Sequence, residues 1–559
     1  MITIQGKGVS TGVAAGPLYF YQRAKGTLKR YEVEDREAEF ARFKEAQAKA
    51  IEQLGVLAEK ARAEAGDEAA MLFETHQMMC EDLDYEEAIE GFIKEQGLNA
   101  EAAVTDAGAM QADAFAAMED DYFKARAADV KDISGRIVGI LMGVVQGGID
   151  SEVPVILASD DLAPSETVQL DKSKILGFVT SGGSGSSHTA ILARTMGIPA
   201  IIGVGEQLKE DYAGREVIVD GGTGTVVLDA DEDTRARLMK KRVEILKRQE
   251  LLNQLKGQPN VTLDGQNMRV YCNIGNPDDV HAVLENDGGG IGLFRSEFLY
   301  LNCDDYPTEE YQFEAYKKVL SDMGGKEVVI RTLDIGADKM IGYFNLPHEE
   351  NPALGNRALR ICLNRPEIFR TQLRALYRAS AYGRLSIMFP MVASVWEVRE
   401  AKKMCEQVKA ELTKEGIPFS DEVDVGIMIE TPAAAMISDR LAKEVDFFSI
   451  GTNDLTQYTL ACDRQNNDLG RFFDAHHPAV LRLIKMACDN AHKAGIWCGI
   501  CGELGADLEL TELFLAIGLD ELSVSPRSVL PLRQKVRETR VGVVREKLLG
   551  DLANSETTI

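Results

Sequence analysis

The chain of 559 residues is predicted to be a multidomain α/β and α protein. In this prediction a small α/β domain with an inserted helical bundle is followed by a (β/α)8 barrel of the TIM type. Three observations support it. An acidic, proline-free helical stretch separates two segments of glycine-punctuated strands, eight strand-like runs alternate with helical stretches in the second half, and the chain is too long for one hydrophobic core.

The two strand-bearing segments, residues 1–30 and 146–230, are predicted to be parts of one α/β domain. Short β-type runs lie among closely spaced glycines in the first segment, and strands alternate with helices in the second. The intervening residues 31–145 are therefore predicted to be an insertion. The runs predicted as strands in the second segment are residues 154–158, 175–180, 200–203, 216–220 and 221–227, the last including a turn.

His188 ends a run of small residues, Gly-Gly-Ser-Gly-Ser-Ser, and opens a predicted helix. Ser187 is suited to cap that helix, and the free N–H groups and dipole at a helix start favour an anion. A phosphate carried on the imidazole, or approaching it, would be stabilised there. From these residues alone the alternative is an ordinary flexible loop before a helix, with His188 as a cap or a surface residue.

The predicted insertion carries more than half of the chain's net charge of −27. Between residues 32 and 136 there are 27 Asp and Glu against 11 Lys and Arg, a net of −16. Apolar residues recur there at steps of three and four, for example Phe40, Phe43 and Leu54, which predicts helices. The acidic exterior is interpreted either as a solvated helix face or as a docking surface that steers a small basic partner.

Residues 231–260 are charged, helical in pattern, and predicted to link the α/β domain to residues 261–559. Eight strand-like runs alternate with helical stretches in this last part. Eight β/α repeats in that length are typical of a (β/α)8 barrel. The runs are residues 268–272, 290–294, 327–331, 385–389, 425–429, 447–450, 496–500 and 522–524.

Polar or reactive side chains follow five of these runs at the point where each run ends. Because active sites of such barrels form at the C-terminal ends of the strands, this clustering predicts a catalytic mouth. The residues are Arg295, Arg331, Glu430, Asn453, Asp454 and Cys501.

Glu430 and Asp454, at neighbouring strand ends, are candidate ligands of Mg²⁺, a hard cation that takes few protein carboxylates. Three arginines near this pair of carboxylates would donate bidentate hydrogen bonds to the oxygens of a substrate that carries a phosphate and a carboxylate. These are Arg295, Arg331 and Arg464. From residue type alone the alternatives are helix capping for the carboxylates and surface positions for the arginines.

Cys501 is interpreted either as a reactive thiol at a strand end or as a small buried hydrophobe. Its C-x-x-C spacing with Cys498 does not predict a zinc site, because no second cysteine or histidine pair completes one. The nine scattered cysteines are interpreted as reduced thiols in a cytoplasm.

Composition argues against several other classes of protein. The strong negative charge leaves no basic stripe for nucleic acid. No run of about 18 apolar residues predicts membrane insertion. The first residues, Met-Ile-Thr-Ile-Gln-Gly-Lys, lack the apolar core of a signal peptide.

Taken together, the motifs of this chain resemble those of the phosphoenolpyruvate-protein phosphotransferases, enzyme I of the bacterial sugar phosphotransferase system. The resemblance covers essentially the whole chain, including the order of domains and the inserted bundle. The strings that carry it are residues 182–203, 292–300, 331–339, 350–358, 388–391, 426–434, 449–458 and 501–503.

The resemblance implies that His188 takes the phosphoryl group of phosphoenolpyruvate and that Cys501 protonates the enolate to give pyruvate. The phosphohistidine would then pass its group to a histidine of the carrier protein HPr, docked on the bundle near residues 74–82. A homodimer through the barrels and a swivelling histidine domain are implied as well. Substrate contacts are implied for Arg295, Arg331, Asn453 and Arg464, and Mg²⁺ contacts for Glu430 and Asp454.

The chain departs from the family's Gly-Gly-x-Thr-Ser-His pattern at Ser184, Gly185 and Ser186. Ser186 lacks the methyl that restricts a threonine's rotamers, so we expect the departure to affect the geometry of the loop and the rate of phosphoryl transfer.

Pyruvate-phosphate dikinase and phosphoenolpyruvate synthase would need an additional ATP-binding domain, for which no length remains. The remaining alternatives are a non-catalytic regulator of the same fold and a paralogue that phosphorylates an HPr-like carrier in another pathway.

Overall fold

The computed structural model divides the chain into two compact units, residues 1–249 and 250–559. Its fold confirms the predicted class, with an α/β domain, an inserted helical bundle and a closed barrel. The residues it describes are 1–21, 29–65, 67–116, 121–143, 149, 151–162, 166–167, 170–183, 187–301, 303, 305–337, 341–464 and 466–555.

The α/β part of the first unit is built on one mixed sheet, which has eight strands in the described residues and the order β1-β8-β7-β3-β4-β5-β6-β2. Strands β3 to β6 run parallel, and the outer pairs are antiparallel. Apolar side chains such as Ile156, Val179 and Val219 form its core. The strands are β1 (Ile2–Gln5), β2 (Lys7–Ser10), β3 (Val13–Phe20), β4 (Val155–Ser159), β5 (Ile175–Thr180), β6 (Ala200–Ile202), β7 (Glu216–Asp220) and β8 (Thr225–Leu228).

The helical bundle is inserted between β3 and β4, as the sequence predicts. Its apolar positions at steps of three and four, Phe43, Leu54 and Leu57 among them, lie in one buried cluster. Acidic residues such as Glu34, Glu81 and Asp84 are exposed, and Glu101, which is buried, is paired with Arg42, because burying a carboxylate without a partner is costly. The helices are α1 (Arg36–Ala65), α2 (Asp67–Cys80), α3 (Leu83–Lys94), α4 (Ala100–Ala116) and α5 (Asp121–Leu141).

In the described residues that follow the bundle, the first part of the chain has two further α-helices, α6 (His188–Met196) and α7 (Glu232–Asn253). Ser187 caps α6 as predicted, since its side chain accepts a hydrogen bond from the backbone N–H of Ala190, and Gly197 ends the helix in the left-handed conformation. Helix α7 falls in the stretch predicted as a helical linker. The departures at Ser184, Gly185 and Ser186 lie outside the described residues, as does the side chain of His188.

The second unit is a closed barrel whose strands, eight in the described residues, are all parallel and pair in chain order. The strands are β9 (Arg269–Ile274), β10 (Ile291–Arg295), β11 (Val328–Arg331), β12 (Leu385–Phe389), β13 (Asp424–Ile429), β14 (Phe447–Ile450), β15 (Trp497–Ile500) and β16 (Glu521–Val524). The helices are α8 (Val280–Glu285), α9 (Phe298–Leu301), α10 (Glu309–Asp322), α11 (Leu359–Asn364), α12 (Pro366–Ala379), α13 (Val395–Glu415), α14 (Pro432–Met436), α15 (Ser438–Leu441), α16 (Thr452–Leu460), α17 (Pro478–Ala494), α18 (Thr511–Ile517), α19 (Val529–Glu538) and α20 (Val541–Asn554).

Strand alternation divides the barrel residues between its interior and the surrounding helices. Phe448 and Ile450 belong to the main core, which includes the helices, whereas Phe447 belongs to a separate cluster inside the barrel. The Phe447 ring stacks on Trp497, with 4.5 Å between ring centroids. The other buried members of the inner cluster are Leu293, Val329, Met388, Met428 and Cys501.

Within the described ranges, none of the helices combines the length and the apolar character required to traverse a lipid bilayer.

One acidic side chain, Glu521 at the start of β16, is enclosed inside the barrel. It is fully buried, and neither carboxyl oxygen has a hydrogen-bond partner among the described residues. Gly292 makes room for it, because a Cβ there would lie 2.1 Å from Oε1 of Glu521. Burial and the nearby charge of Glu327 raise the pKa of Glu521 to about 8, so the folded barrel favours the protonated acid.

We predict that Glu521→Gln makes the barrel less sensitive to alkaline pH. Between the ordinary carboxyl pKa of 4.5 and about 8, the folded state binds more protons than the unfolded state, so wild-type stability falls as pH rises. The glutamine is neutral throughout. Thermal unfolding between pH 6 and 9, followed by tryptophan fluorescence, should show a Tm advantage of the variant that grows with pH. Glu314→Gln, at an exposed position, is the control, and a pH-independent difference would contradict the prediction.

Candidate active site

A cavity of about 820 Å³ opens at the C-terminal ends of the barrel strands. It brings together all seven site residues predicted in the barrel. They are Arg295, Arg331, Glu430, Asn453, Asp454, Arg464 and Cys501. The eighth predicted residue, His188, belongs to the first unit and begins helix α6.

Strand geometry explains why these residues meet. Arg331 and Glu430 stand two positions after the inner-cluster residues Val329 and Met428, so they point to the same interior side of their strands. Each lies at the strand's C-terminal end, where the barrel opens. Helix α16 begins one residue after Gly451 and supplies Asn453 and Asp454 from its first turn.

Arg331 is held in a buried ion-pair network. Its Nη2 lies 2.7 Å from Oε1 of Glu297, and its Nη1 lies 2.9 Å from Oδ2 of Asp334. The other Asp334 oxygen lies 3.3 Å from Nη2 of Arg357. Burial disfavours the charged guanidinium, but Asp334 and Glu297 outweigh it and raise the pKa of Arg331 above its ordinary value. A permanent, oriented positive charge therefore stands in the cavity wall.

Glu430 is a buried acid that lines the cavity at the end of β13. Its Oε1 accepts a hydrogen bond from the backbone N–H of Met391, while Oε2 has no partner within the described part of the chain. Burial, with the charges of Asp454 and Asp334, raises the pKa of Glu430 to about 8. Gly451 lets the next strand approach, because a Cβ there would lie 3.0 Å from Oε2 of Glu430.

In the described residues, no group of three or more His, Cys, Asp or Glu is arranged to hold a metal ion. The two carboxylates that share the cavity, Glu430 and Asp454, are oxygen ligands of the hard type. A divalent cation at this point would need water or substrate oxygens to complete its coordination.

Asn453 and Arg464 are positioned by contacts across the cavity rim. The Asn453 amide is fixed from both ends by Glu503, since Nδ2 donates to Oε1 of Glu503 over 3.3 Å and Oδ1 accepts from the Glu503 backbone N–H over 3.1 Å. The backbone N–H of Arg464 donates to Oε1 of Gln457 over 3.2 Å. Its guanidinium Nη2 lies 3.8 Å from Oδ1 of Asp454.

Cys501 lies on the cavity wall with its thiol turned into the barrel. It is 2% exposed, and its Sγ lies 3.7 Å from the carbonyl oxygen of Ile450. Burial raises the pKa of the Cys501 thiol to about 12, and Ser449 and Arg331 oppose this rise. Near neutral pH the sulfur therefore carries a proton, as an acid must and a thiolate nucleophile does not.

Several cavity residues were not singled out by the sequence reasoning. Glu297, Asp334 and Arg357 each lie within a quoted motif, but residue type alone did not distinguish ion-pair partners from surface charges. Their burial distinguishes them from surface charges, and burial can be seen only in the folded barrel. Tyr458 was also missed, and its hydroxyl donates to the carbonyl oxygen of Ala353 across the cavity.

Three family models match the chain in succession. The model described as PEP-utilising enzyme, N-terminal, covers residues 5–126, and the mobile domain of PEP-utilising enzymes covers residues 151–224. The PEP-binding domain of PEP-utilising enzymes covers residues 249–541, which is more than half of the chain.

The chain is also similar to curated proteins over nearly its full length. It is 43% identical to the phosphoenolpyruvate-protein phosphotransferase of Priestia megaterium, with 99% of this chain and 97% of that protein covered. It is 42% identical to the protein of the same name from Bacillus subtilis strain 168, with 98% and 97% covered. Among solved structures, an Enzyme I protein determined by NMR is 35% identical, covers 43% of this chain and 99% of its own, and has a TM-score of 0.38.

We predict that Arg331→Met destabilises the barrel by about 3–5 kcal/mol, because removing one partner of a buried ion pair leaves the other uncompensated. Arg464→Met, at a side chain 38% exposed, should cost less than about 1 kcal/mol. Both tryptophans, Trp396 and Trp497, lie in the second unit, so their fluorescence during urea unfolding reports on the barrel. Equal losses of unfolding free energy in the two variants would contradict the proposed contribution of the Arg331 ion pairs to stability.

Proposed function

The chain belongs to the family of phosphoenolpyruvate-protein phosphotransferases, and from that membership we propose that it performs the first step of the sugar phosphotransferase system. The phosphoryl group of phosphoenolpyruvate passes to His188 and then to a histidine of HPr, with release of pyruvate. The observation that carries the proposal is the barrel cavity, where arginines, two carboxylates and a buried protonated thiol converge.

Arg295, Arg331 and Arg464 bind the phosphate and carboxylate of the substrate in this proposal, with Asn453 beside them. Guanidinium groups suit both anions because they donate paired hydrogen bonds in a plane. Arg331 is held by Glu297 and Asp334 before any substrate arrives. Such preorganised charge stabilises the transferring phosphoryl group without a rearrangement at the moment of reaction.

The pair Glu430 and Asp454 is proposed to hold Mg²⁺. Three features fit this cation: hard oxygen donors, a buried Oε2 of Glu430 with no hydrogen-bond partner in the described residues, and a Glu430 pKa that is raised by burial and by the neighbouring carboxylates Asp454 and Asp334. When bound, the cation would stabilise negative charge on phosphate and enolate oxygens.

The phosphoryl transfer forms a bond between phosphorus and an imidazole nitrogen of His188 and breaks the bond between phosphorus and the enol oxygen. The leaving electron pair stays on that oxygen as an enolate. Cys501 then gives its proton to the terminal carbon of the enolate, which yields pyruvate. The raised pKa of the Cys501 thiol supports this role, because an acid must hold its proton until the enolate forms.

His188 opens helix α6 behind the Ser187 cap, and the free N–H groups and positive end of the helix dipole favour the phosphoryl group that the histidine carries. We further propose that residues 1–30 and 146–230 form the swivelling phosphohistidine domain and that residues 261–559 bind phosphoenolpyruvate and dimerise. Residues 231–260 would link the two.

HPr is proposed to dock on the helical bundle, residues 31–145, where helix α2 meets helix α3. Met78 and Leu83 are exposed there at 64% and 75%, and the acidic residues Glu81, Asp82 and Asp84 surround them. An apolar centre within an acidic field suits a small basic protein.

A cytoplasmic location is proposed as well. In the structure, none of the nine cysteines forms a disulfide bond. Proteins that fold in an oxidising compartment usually pair such residues.

The phosphoryl relay is tested with ³²P-labelled phosphoenolpyruvate. Wild-type protein should take up label that withstands alkali, and a chase with purified HPr should remove it. His188→Ala should take up none, and His281→Ala, at a histidine side chain 87% exposed, should behave as wild type. Label retained by His188→Ala would contradict the assignment. A panel of HPr-like carriers in the chase separates the sugar system from a paralogous pathway.

The metal proposal predicts that chelation by EDTA stops labelling and that added Mg²⁺ restores it. Asp454→Asn should raise the Mg²⁺ concentration for half-maximal labelling by about tenfold or more, because it removes one charged oxygen ligand. Asp463→Asn is a matched control, since Asp463 lines the same cavity without a proposed ligand role. An unchanged Mg²⁺ requirement in Asp454→Asn would contradict the assignment.

A further inference from the structure

Ser449 is a buried polar residue inside the barrel, on strand β14. It stands two positions after Phe447, an inner-cluster residue, while Phe448 and Ile450 pack outward, so its side chain points to the interior. It is 1% exposed, and its hydroxyl has no hydrogen-bond partner among the described residues. It is not among the residues that line the cavity.

Strand β15, which pairs with the strand of Ser449, leads directly into Cys501. Ser449 pairs in register with Gly499 of β15, and Cys501 follows two positions later on the same inward side. The backbone N–H of Cys501 donates to the carbonyl oxygen of Ile450, the residue after Ser449. With no side chain on Gly499, the Ser449 hydroxyl faces the thiol, and its influence on the thiol pKa reflects that proximity.

A thiol that gives up its proton here leaves a thiolate that the charge of Arg331 favours, but the Arg331 guanidinium is already paired with Glu297 and Asp334, and the remaining surroundings are largely apolar. The inner cluster that surrounds the sulfur consists of Leu293, Val329, Met388, Met428 and Phe447, none of which donates a hydrogen bond. A buried anion without donors is costly. The thiol itself points to the carbonyl oxygen of Ile450. That oxygen can accept a hydrogen bond from the thiol but cannot stabilise the thiolate, because it has no proton to donate.

We propose that Ser449 is a positioning residue for the proton-transfer half of the reaction, and that its hydroxyl donates a hydrogen bond to the Cys501 sulfur as the thiolate forms. This inference rests on the proposed function. The S–H bond of Cys501 breaks as a C–H bond forms at the terminal carbon of the enolate, whose double-bond electrons supply the new bond. Ser449 keeps its own proton, and water restores the thiol after pyruvate leaves.

Loss of the Ser449 hydroxyl should slow pyruvate formation but not phosphohistidine formation, whereas a general loss of structure would lower both rates together. Phosphohistidine formation needs the arginines, the carboxylates and His188 but not the Cys501 proton, whereas pyruvate formation on the enzyme needs it. Removing one hydrogen bond to a charged group is expected to slow proton transfer about 10- to 100-fold. In Ser449→Ala, phosphohistidine should therefore form at the wild-type rate while pyruvate lags behind it.

The experiment is a single turnover of the full chain with phosphoenolpyruvate and Mg²⁺. Rapid quenching into alkaline denaturant measures phosphohistidine, and a coupled lactate dehydrogenase assay follows keto-pyruvate. Ser386→Ala is the matched control, because Ser386 is also a 1% exposed serine inside the barrel but donates to Glu327 at the opposite end. A lag in Ser449→Ala and none in Ser386→Ala supports the proposal.

A second measurement distinguishes loss of the hydrogen bond from displacement of the thiol. The rate of Cys501 alkylation at pH 9, resolved by peptide mass spectrometry, follows the thiolate fraction. Ser449→Ala should lower it about tenfold, because the thiolate loses its donor, whereas a displaced, more exposed thiol would react faster. Parallel loss of both turnover rates, an unaltered pyruvate rate, or faster alkylation would overturn the proposal. Wild-type protein that forms no phosphohistidine would instead refute the proposed function.

Discussion

The ion pairs that hold Arg331 between Glu297 and Asp334 set the electrostatics of the barrel mouth. Burying the carboxylates of Glu297 and Asp334 costs free energy, and their ion pairs with the desolvated Arg331 guanidinium offset that cost. Asp334 also reaches Arg357, so one network ties the ends of β10 and β11 to the following loop. Asp454 has a looser partner, since its Oδ1 lies 3.8 Å from Nη2 of the more exposed Arg464, and the pKa of Glu430 is raised to about 8 by burial and by Asp454 and Asp334. The site thus holds positive charge permanently and leaves room for a further cation beside its carboxylates.

Buried acids in this barrel have two different surroundings, and the difference bears on what each can do. Glu430 and Glu521 both have a pKa raised to about 8 by burial and by neighbouring carboxylates. Glu430 faces an open cavity where a cation and substrate oxygens can approach. Glu521 is enclosed at the start of its strand against Gly292, where no ligand on the cavity side can reach it, and it is accommodated as a neutral acid. The same pKa shift therefore belongs to a proposed cation ligand in one case and to an enclosed acid of the barrel core in the other.

Division of the chain into two compact units matches a division of chemical tasks. In the proposed function the barrel binds anions and delivers a proton, and both tasks need side chains fixed on a rigid scaffold. The first unit supplies the histidine at a capped helix start and an acidic bundle with an exposed apolar centre. A carrier of phosphoryl groups benefits from this arrangement, because the acceptor of one reaction must become the donor of the next.

The sequence by itself determined the fold class, the order of elements and the family. Alternating apolar runs predicted all eight barrel strands to within a residue or two, and the Ser187 cap and the periodicity of the bundle were readable because such contacts are local in the chain. The motif strings also predicted which barrel residues would line a common cavity, since strand ends of a closed barrel share one mouth. Only the tertiary structure decided what those residues touch. Glu297 and Asp334 became the partners of Arg331, Glu521 became a buried acid, and Ser449 came to face Cys501, because strand register and barrel closure join residues far apart in the chain. Burial and pairing of this kind depend on all eight strands at once, and no local pattern encodes them.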